Sequence, residues 1–236
     1  MMIEDICKLS FEEVRKLTVN DIGGRILTRL EIDYFLQAYF VHWIHSGDKN
    51  EPHALLTSGL HSGEYYDCTF VLQKSAAAKI ITYQIAFRLG GINSADWIVG
   101  PSFGATFLVS HLADYFDCFH GITEKEGDLQ TWKRHIIPPN AFVQPIEDVV
   151  TTGGSSFKTI NAIKAGNPQP VEFYQRIAAI INRSGKDSIG GFKIVSLLKP
   201  DLPKYKPDEC PLCAIGSEPA KMKEYLANKY SKIVCS

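Results

Sequence analysis

The stretch Ala141-Phe-Val-Gln-Pro-Ile-Glu-Asp-Val-Val-Thr-Thr-Gly-Gly-Ser-Ser156 constrains this chain more than any other. A mostly apolar run over 141–146 reads as a strand. Two acids follow, then a turn of small residues, then a helix over 156–165. That order places the backbone N–H groups of Thr152 to Ser156 at the positive end of a helix, a ready anion site. Glycines let the main chain approach a ligand closely, and the hydroxyls add donors. The combination suits a phosphate monoester. Carboxylates touching that phosphate would repel it, so Glu147 and Asp148 make sense as acceptors for sugar hydroxyls on the same ligand. A phosphate below and a diol above describe a phosphorylated ribose.

Two other phosphate motifs fail here. In a nucleotide-binding P-loop, Lys and Ser/Thr follow the second glycine directly, whereas Ser155-Ser156 follow Gly154 and Lys158 comes too late. The dinucleotide pattern G-x-G-x-x-G does not occur.

The rest of the chain supplies the frame. Residues 1–50 read as helical, with Phe11–Leu17 amphipathic and Ile26–Ile44 apolar at helix-like spacing, broken by Gly47-Asp48-Lys49-Asn50. From residue 53 short strands and helices alternate. Helices are expected over 76–89, ended by Gly90-Gly91, and over 105–115. Strands are expected over 97–100, 119–122, 177–181 and 192–198. Strands alternating with helices imply parallel crossovers, hence an α/β fold with a mainly parallel central sheet flanked by helices. A proline-rich strap over 199–211 and a helix over 219–230 complete the chain.

A formal net charge of −1 argues against a nucleic-acid partner, which would need a basic face. No apolar run nears the span of a bilayer, and the acidic start lacks the pattern of a secretory signal. Cysteines at 7, 68, 118, 210, 213 and 235 are scattered except for one pair, which suits reduced thiols in the cytoplasm and not a disulfide framework.

Four mostly apolar residues, Glu-Asp, two apolar residues and Thr-Thr-Gly-Gly-Ser together resemble the binding motif for 5-phosphoribosyl-1-pyrophosphate (PRPP) of the type I phosphoribosyltransferases. Gln144-Pro145 departs from the apolar pattern there, and a proline within a central strand removes a ladder donor. Leu55 to Asp67 is similar to the N-terminal segment of orotate phosphoribosyltransferases, where two aromatic residues line the base pocket, and Tyr65 and Tyr66 stand at those positions. Thr57 replaces a lysine found in many members. Ile180-Ile-Asn-Arg-Ser-Gly185 resembles the family's strand ending in Asn-Arg or Asp-Arg. Arg183 would there hold the orotate carboxylate, a match for a planar guanidinium fork.

Thr123 to Pro138 resembles the mobile catalytic loop of the family. Lys125 aligns with its catalytic cation, and Lys133, Arg134 and His135 are further cationic candidates. Gly100-Pro-Ser-Phe-Gly104 occupies the place of the pyrophosphate loop without its usual lysine, which leaves Ser102, Phe103 and Gly104 to bind through their amides. Cys210-Pro-Leu-Cys213 resembles a segment of one subgroup. Without a second close pair it reads as plain thiols and not as a metal site.

The resemblance covers about residues 50 to 215. It implies a type I phosphoribosyltransferase fold with a small hood, divided as an N-terminal helical segment (1–50), the transferase domain with hood (51–215) and a C-terminal helix (216–236). It implies transfer of ribose 5-phosphate from PRPP to orotate. Lys125 and Asp148 would be catalytic, and Glu147 to Ser155, with Val149, Val150, Thr152, Gly153 and Gly154 among them, would hold PRPP. Tyr65, Tyr66, Thr151 and Arg183 would contact the base. Mg²⁺ would arrive on PRPP with no direct protein ligand, and the chain would form a homodimer. Two readings stay open beside this one: a phosphoribosyltransferase for another base, and a PRPP-binding regulator with weak turnover.

Overall fold

A computed structural model describes residues 3–90 and 95–234, so Gly91 of the expected helix stop lies outside the described residues. Five parallel strands form the centre of the sheet in the spatial order Phe192–Leu198, Arg176–Asn182, Phe142–Val150, Trp97–Pro101, Phe119–Glu126. Antiparallel strands, Ser188–Ile189 and Leu129–Thr131, close the two edges. Glu172–Phe173 adds a short parallel pairing beside Phe142–Val150.

The central strands are buried on both faces, as a parallel sheet requires, and their period of two divides the core. Ile98, Ala178 and Ile180 pack with helices Arg29–Ala38, Ser75–Arg88 and Thr106–Phe116. Val99, Ile177 and Ala179 pack against Ile160 and Ile163 of helix Gly154–Gly166 on the other face. Among the described residues no helix is long and apolar enough to cross a membrane.

Pro145 does not interrupt its strand. The ladder to Trp97–Pro101 ends with the pair Val99–Pro145, and the ladder to Arg176–Asn182 takes over at Ile146. The Gln144 amide donates to the Pro145 carbonyl at 2.9 Å, and Gln144 Oε1 accepts from Arg176 Nε at 2.7 Å. The two departures from an apolar strand therefore support each other.

Two expectations are corrected. The run Ile26–Ile44 is not one helix. A capping box, in which Thr28 Oγ1 accepts the Glu31 N–H and Glu31 Oε2 the Thr28 N–H, starts the helix at Arg29. It ends at Ala38, Phe40 turns the chain with φ of 58°, and His42–Ile44 becomes a strand paired with Glu64–Tyr66. The charged stretch after Ile122 is likewise ordered: the strand continues to Glu126 and returns as Leu129–Thr131. The two-residue turn Gly127-Asp128, with φ of 59° at the glycine, closes this hairpin.

A hood sits over the carboxyl ends of the central strands. His53–Leu55 pairs with His61–Ser62 on one side and with Pro219–Ala220 on the other. The latter pairing delivers the start of the last helix, Met222–Val234, to the top of the sheet.

Candidate active site

The central strand brings Glu147 and Asp148 to its carboxyl end, the usual ligand position in open α/β sheets. Thr151 and Thr152 then turn the chain, and Gly153, with φ of 78°, caps helix Gly154–Gly166 in a left-handed conformation that a side chain would strain. Beyond it the amides of Gly154, Ser155 and Ser156 form the open first turn.

Glu147 is nearly fully buried and accepts the Ser156 hydroxyl at 2.7 Å. Burial raises its pKa from 4.5 to about 8, against the opposing Ser156 bond and with help from the Asp148 charge. Asp148 Oδ1 accepts the Val149 N–H at 2.8 Å. Burial pushes this carboxyl above the usual range too, opposed by that amide and by the Lys223 ammonium. Gly104 lies directly against it: a Cβ at Gly104 would sit 2.9 Å from both Asp148 carboxylate oxygens. The Pro101–Gly104 turn thus faces the acids. Its Ser102 hydroxyl is buried without a protein partner, and Phe103 is exposed with φ of 65°.

The neighbouring strand delivers Arg183. Asn182 shapes the turn by accepting the Ser184 N–H at 3.0 Å and donating to the Lys186 carbonyl at 2.8 Å, while the Arg183 N–H donates to the Val150 carbonyl at 2.8 Å. The Arg183 guanidinium carbon lies 5.4 Å from the Tyr65 ring centroid, and Nε is buried with no protein partner. Burial lowers its pKa. Tyr66 stacks on His42 at 4.3 Å between centroids, and His42 in turn bonds Glu64 at 2.8 Å, which fixes this wall.

A cavity of about 580 Å³ gathers Tyr65, Tyr66, Glu147, Asp148, Val149, Thr151, Ser155 and Arg183 from the sequence-predicted set. Val150, Thr152, Gly153 and Gly154 build the turn beside it without lining it. Lys125, Lys133, Arg134 and His135 are absent from its walls. Lys133 pairs with Glu126, Arg134 Nε bonds Glu124 at 2.6 Å, and His135 packs 5.3 Å from Trp132 between ring centroids. Lys125 stands on the hairpin opposite Gln130.

The cavity also holds residues the sequence reading did not single out: Leu55, Leu56, Asp67, Cys68, and Lys221 to Glu224 at the start of the last helix. Asp67 and Cys68 follow the tyrosine pair directly, so their position was readable. Lys221 and Lys223 carry no motif and arrive only through the pairing of Pro219–Ala220 with His53–Leu55.

Glu147 makes stability depend on pH. Its folded pKa lies above the unfolded one, so this contribution is complete below about 4.5 and is lost as pH rises towards 8, by roughly 5 kcal/mol in the limit. Thermal melts of the wild type and Glu147→Gln should therefore diverge in favour of the variant between pH 5 and 8, on the order of that window. Parallel profiles would remove the buried, proton-holding carboxyl.

No family model matches the chain. It is 35% identical over 167 residues to a protein named orotate phosphoribosyltransferase from Caldicellulosiruptor saccharolyticus, covering 70% of this chain and 85% of the relative. A protein of the same name from Thermotoga maritima is 33% identical over 172 residues, covering 72% and 89%. In fold, the chain matches the crystal structure of orotate phosphoribosyltransferase from Aeropyrum pernix with a TM-score of 0.52 at 19% identity, over 71% of this chain and 93% of that one.

Proposed function

Because this chain belongs to the orotate phosphoribosyltransferase family, we propose that it transfers ribose 5-phosphate from PRPP to orotate, giving orotidine 5′-monophosphate and pyrophosphate. The observation that carries the reading is a guanidinium over an aromatic ring, its Nε buried without a protein partner, which lines one cavity with the two acids and the phosphate turn. A planar base bearing a carboxylate completes Arg183 and lies between Tyr65 and the ribose. A base without a carboxylate would leave that charge unmet.

In this assignment the open first turn from Thr151 to Ser155 grips the 5-phosphate, and Asp148 with Glu147 holds the ribose diol. Binding energy from these remote groups orients the anomeric carbon towards the base nitrogen. As the bond to pyrophosphate breaks, positive charge grows on the ribose ring beside the Asp148 carboxylate, which can stabilise it. The amides of Ser102 and Phe103, in the turn against Asp148, would receive the leaving group, and the Gly104 N–H, which donates to the Ser102 carbonyl at 3.2 Å, would join them by releasing that bond. Mg²⁺, carried on PRPP, would neutralise charge on the departing pyrophosphate, and the Asp67 carboxylate on the cavity wall is a hard oxygen donor that suits a water-mediated contact to such a complex.

We place Lys125 in catalysis across a homodimer. Its hairpin lies at the sheet edge, where Lys158 Nζ of helix Gly154–Gly166 donates to the Asp128 carbonyl at 2.9 Å. Lys125 does not line the cavity of its own chain and makes no ion pair among the described residues, whereas Lys133 and Arg134 do. Lys125→Ala should lower kcat about 100-fold, roughly 2.7 kcal/mol of transition-state stabilisation, while the KM for PRPP changes only a few-fold. A rise in KM alone would make it a ground-state contact. A cytoplasmic setting fits the five described cysteines, which are all free thiols.

The deciding assay supplies PRPP, orotate and Mg²⁺ and measures orotidine monophosphate and pyrophosphate. Formation of both establishes the activity. PRPP binding without product, with orotate or any other base, would point to the regulator.

A further inference from the structure

Cys210 and Cys213, which the sequence presents as an isolated thiol pair, meet two imidazoles in the fold. His53 Nε2 and His61 Nδ1 are 2.9 Å apart. Cys213 Sγ lies 3.5 Å from the first and 3.3 Å from the second, and Cys210 Sγ lies 3.8 Å from His53 Nε2. All four ligand atoms fall within 4.8 Å of one another. Zinc bonds of about 2.3 Å to sulfur and 2.0–2.1 Å to nitrogen give tetrahedral edges of about 3.8 Å between sulfurs, 3.5 Å for mixed pairs and 3.3 Å between nitrogens. The observed separations need adjustments of only a few tenths of an ångström, up to about one, to meet these edges.

We propose that His53, His61, Cys210 and Cys213 form a structural zinc site that ties the hood to the C-terminal part of the chain.

The local structure builds this set of ligands. His61 stands opposite Leu55 in the antiparallel pairing, so His53 is its diagonal neighbour on the same face. Cys210 precedes a short helix with Pro211 in its first turn, and the Cys-x-x-Cys spacing returns Cys213 to the same side. His53, His61 and Cys210 are buried and Cys213 is half-buried, so the protein itself closes the shell. Four protein ligands with no open position describe a structural site and not a catalytic one, and two thiolates with two imidazoles favour zinc over harder cations.

The surroundings also set the tautomer. Ser217 gives its only hydroxyl proton to the Glu51 carbonyl at 2.7 Å, so at 2.9 Å it accepts from His53 Nδ1–H. That leaves the lone pair of His53 Nε2 aimed at the cluster, an outer-shell arrangement typical of metal-bound histidine. The site also borders the candidate active cavity, since Leu55 to Thr57 lie between the two histidines and Lys221 to Glu224 follow Cys213 closely. Zinc would therefore hold two walls of that cavity together.

The test uses the full chain purified without chelator. Elemental analysis should find about one zinc per chain. Cobalt reconstitution should give a thiolate-to-cobalt charge-transfer band with intense tetrahedral d–d bands. Removing zinc from the wild type should lower Tm by roughly 10 °C or more, with recovery on adding zinc. Cys213→Ser and His61→Asn should each lose stoichiometric zinc. Wild-type protein that takes up no zinc, a cobalt spectrum without the thiolate band, or a Cys210–Cys213 disulfide under reducing expression would each overturn the proposal. The wild-type measurements decide it even if both variants fail to fold.

Discussion

Replacing Asp148 with Asn should cut kcat/KM for PRPP by about 100-fold or more, roughly 3 kcal/mol, while the melting temperature holds or rises. The asymmetry follows from the position of the residue. Its carboxylate is pushed above its usual pKa by burial, so the charge costs stability in the free protein. In return it offers two acceptors to a diol and a negative charge to the ribose as the pyrophosphate bond breaks. Asn keeps the shape, loses the charge and replaces one acceptor with a donor. Gly104→Ala should reach the same carboxylate from the other side. Its Cβ would sit 2.9 Å from both oxygens and displace them, at little cost to the backbone. A fall of about 10-fold in kcat/KM with an intact fold is expected. Wild-type kinetics in Asp148→Asn would defeat the ribose assignment.

The parts of this site that were legible in the sequence are those fixed by local chemistry. A strand, two acids and a Gly-rich turn must lie in order along the chain, because one strand end and one helix start build them. Arg183 was legible for the same reason, as the residue at a neighbouring strand end. The hairpin of Lys125 carries little sequence signal, because its extension over Glu124–Glu126 buries little and has no apolar alternation. Its one local mark was the Gly127-Asp128 turn. The helix break near Tyr39 is hidden in the sequence because apolar residues continue at helix-like spacing from Ile26 to Ile44, although in the strand His42–Ile44 only Trp43 is buried.

The residues that escaped entirely are those brought in by long-range pairing. Lys221 and Lys223 reach the cavity because Pro219–Ala220 joins the hood strand His53–Leu55, and no spacing rule links those segments. His53 and His61 escaped for the same reason. Neither histidine is near Cys210 and Cys213 along the chain, and the hood pairing alone brings them together. Local motifs thus disclosed the donor side of the site, and tertiary pairing supplies the wall that faces it.

Arg183→Ala should raise the KM for orotate about 100-fold, near 2.7 kcal/mol, and leave the KM for PRPP within a few-fold. The guanidinium is held over Tyr65 with a buried Nε that no protein group satisfies, so in the free enzyme it is a partly desolvated charge with one donor unmet. A carboxylate provides two parallel acceptors at a partly buried site, where a charge-assisted pair is worth more than in water. Arg183→Lys should recover only part of the loss, because an ammonium makes point contacts and cannot engage both oxygens in the plane of the ring. Removing a half-buried cation with an unmet Nε should also leave Tm unchanged or raise it, since folding no longer bears that desolvation. The base lacking the carboxylate gives the control: uracil should be a poor acceptor for the wild type, and discrimination between orotate and uracil should collapse in Arg183→Ala. Equal loss for both bases would mean that Arg183 shapes the pocket without reading the carboxylate, and base choice would then rest on other walls of the cavity.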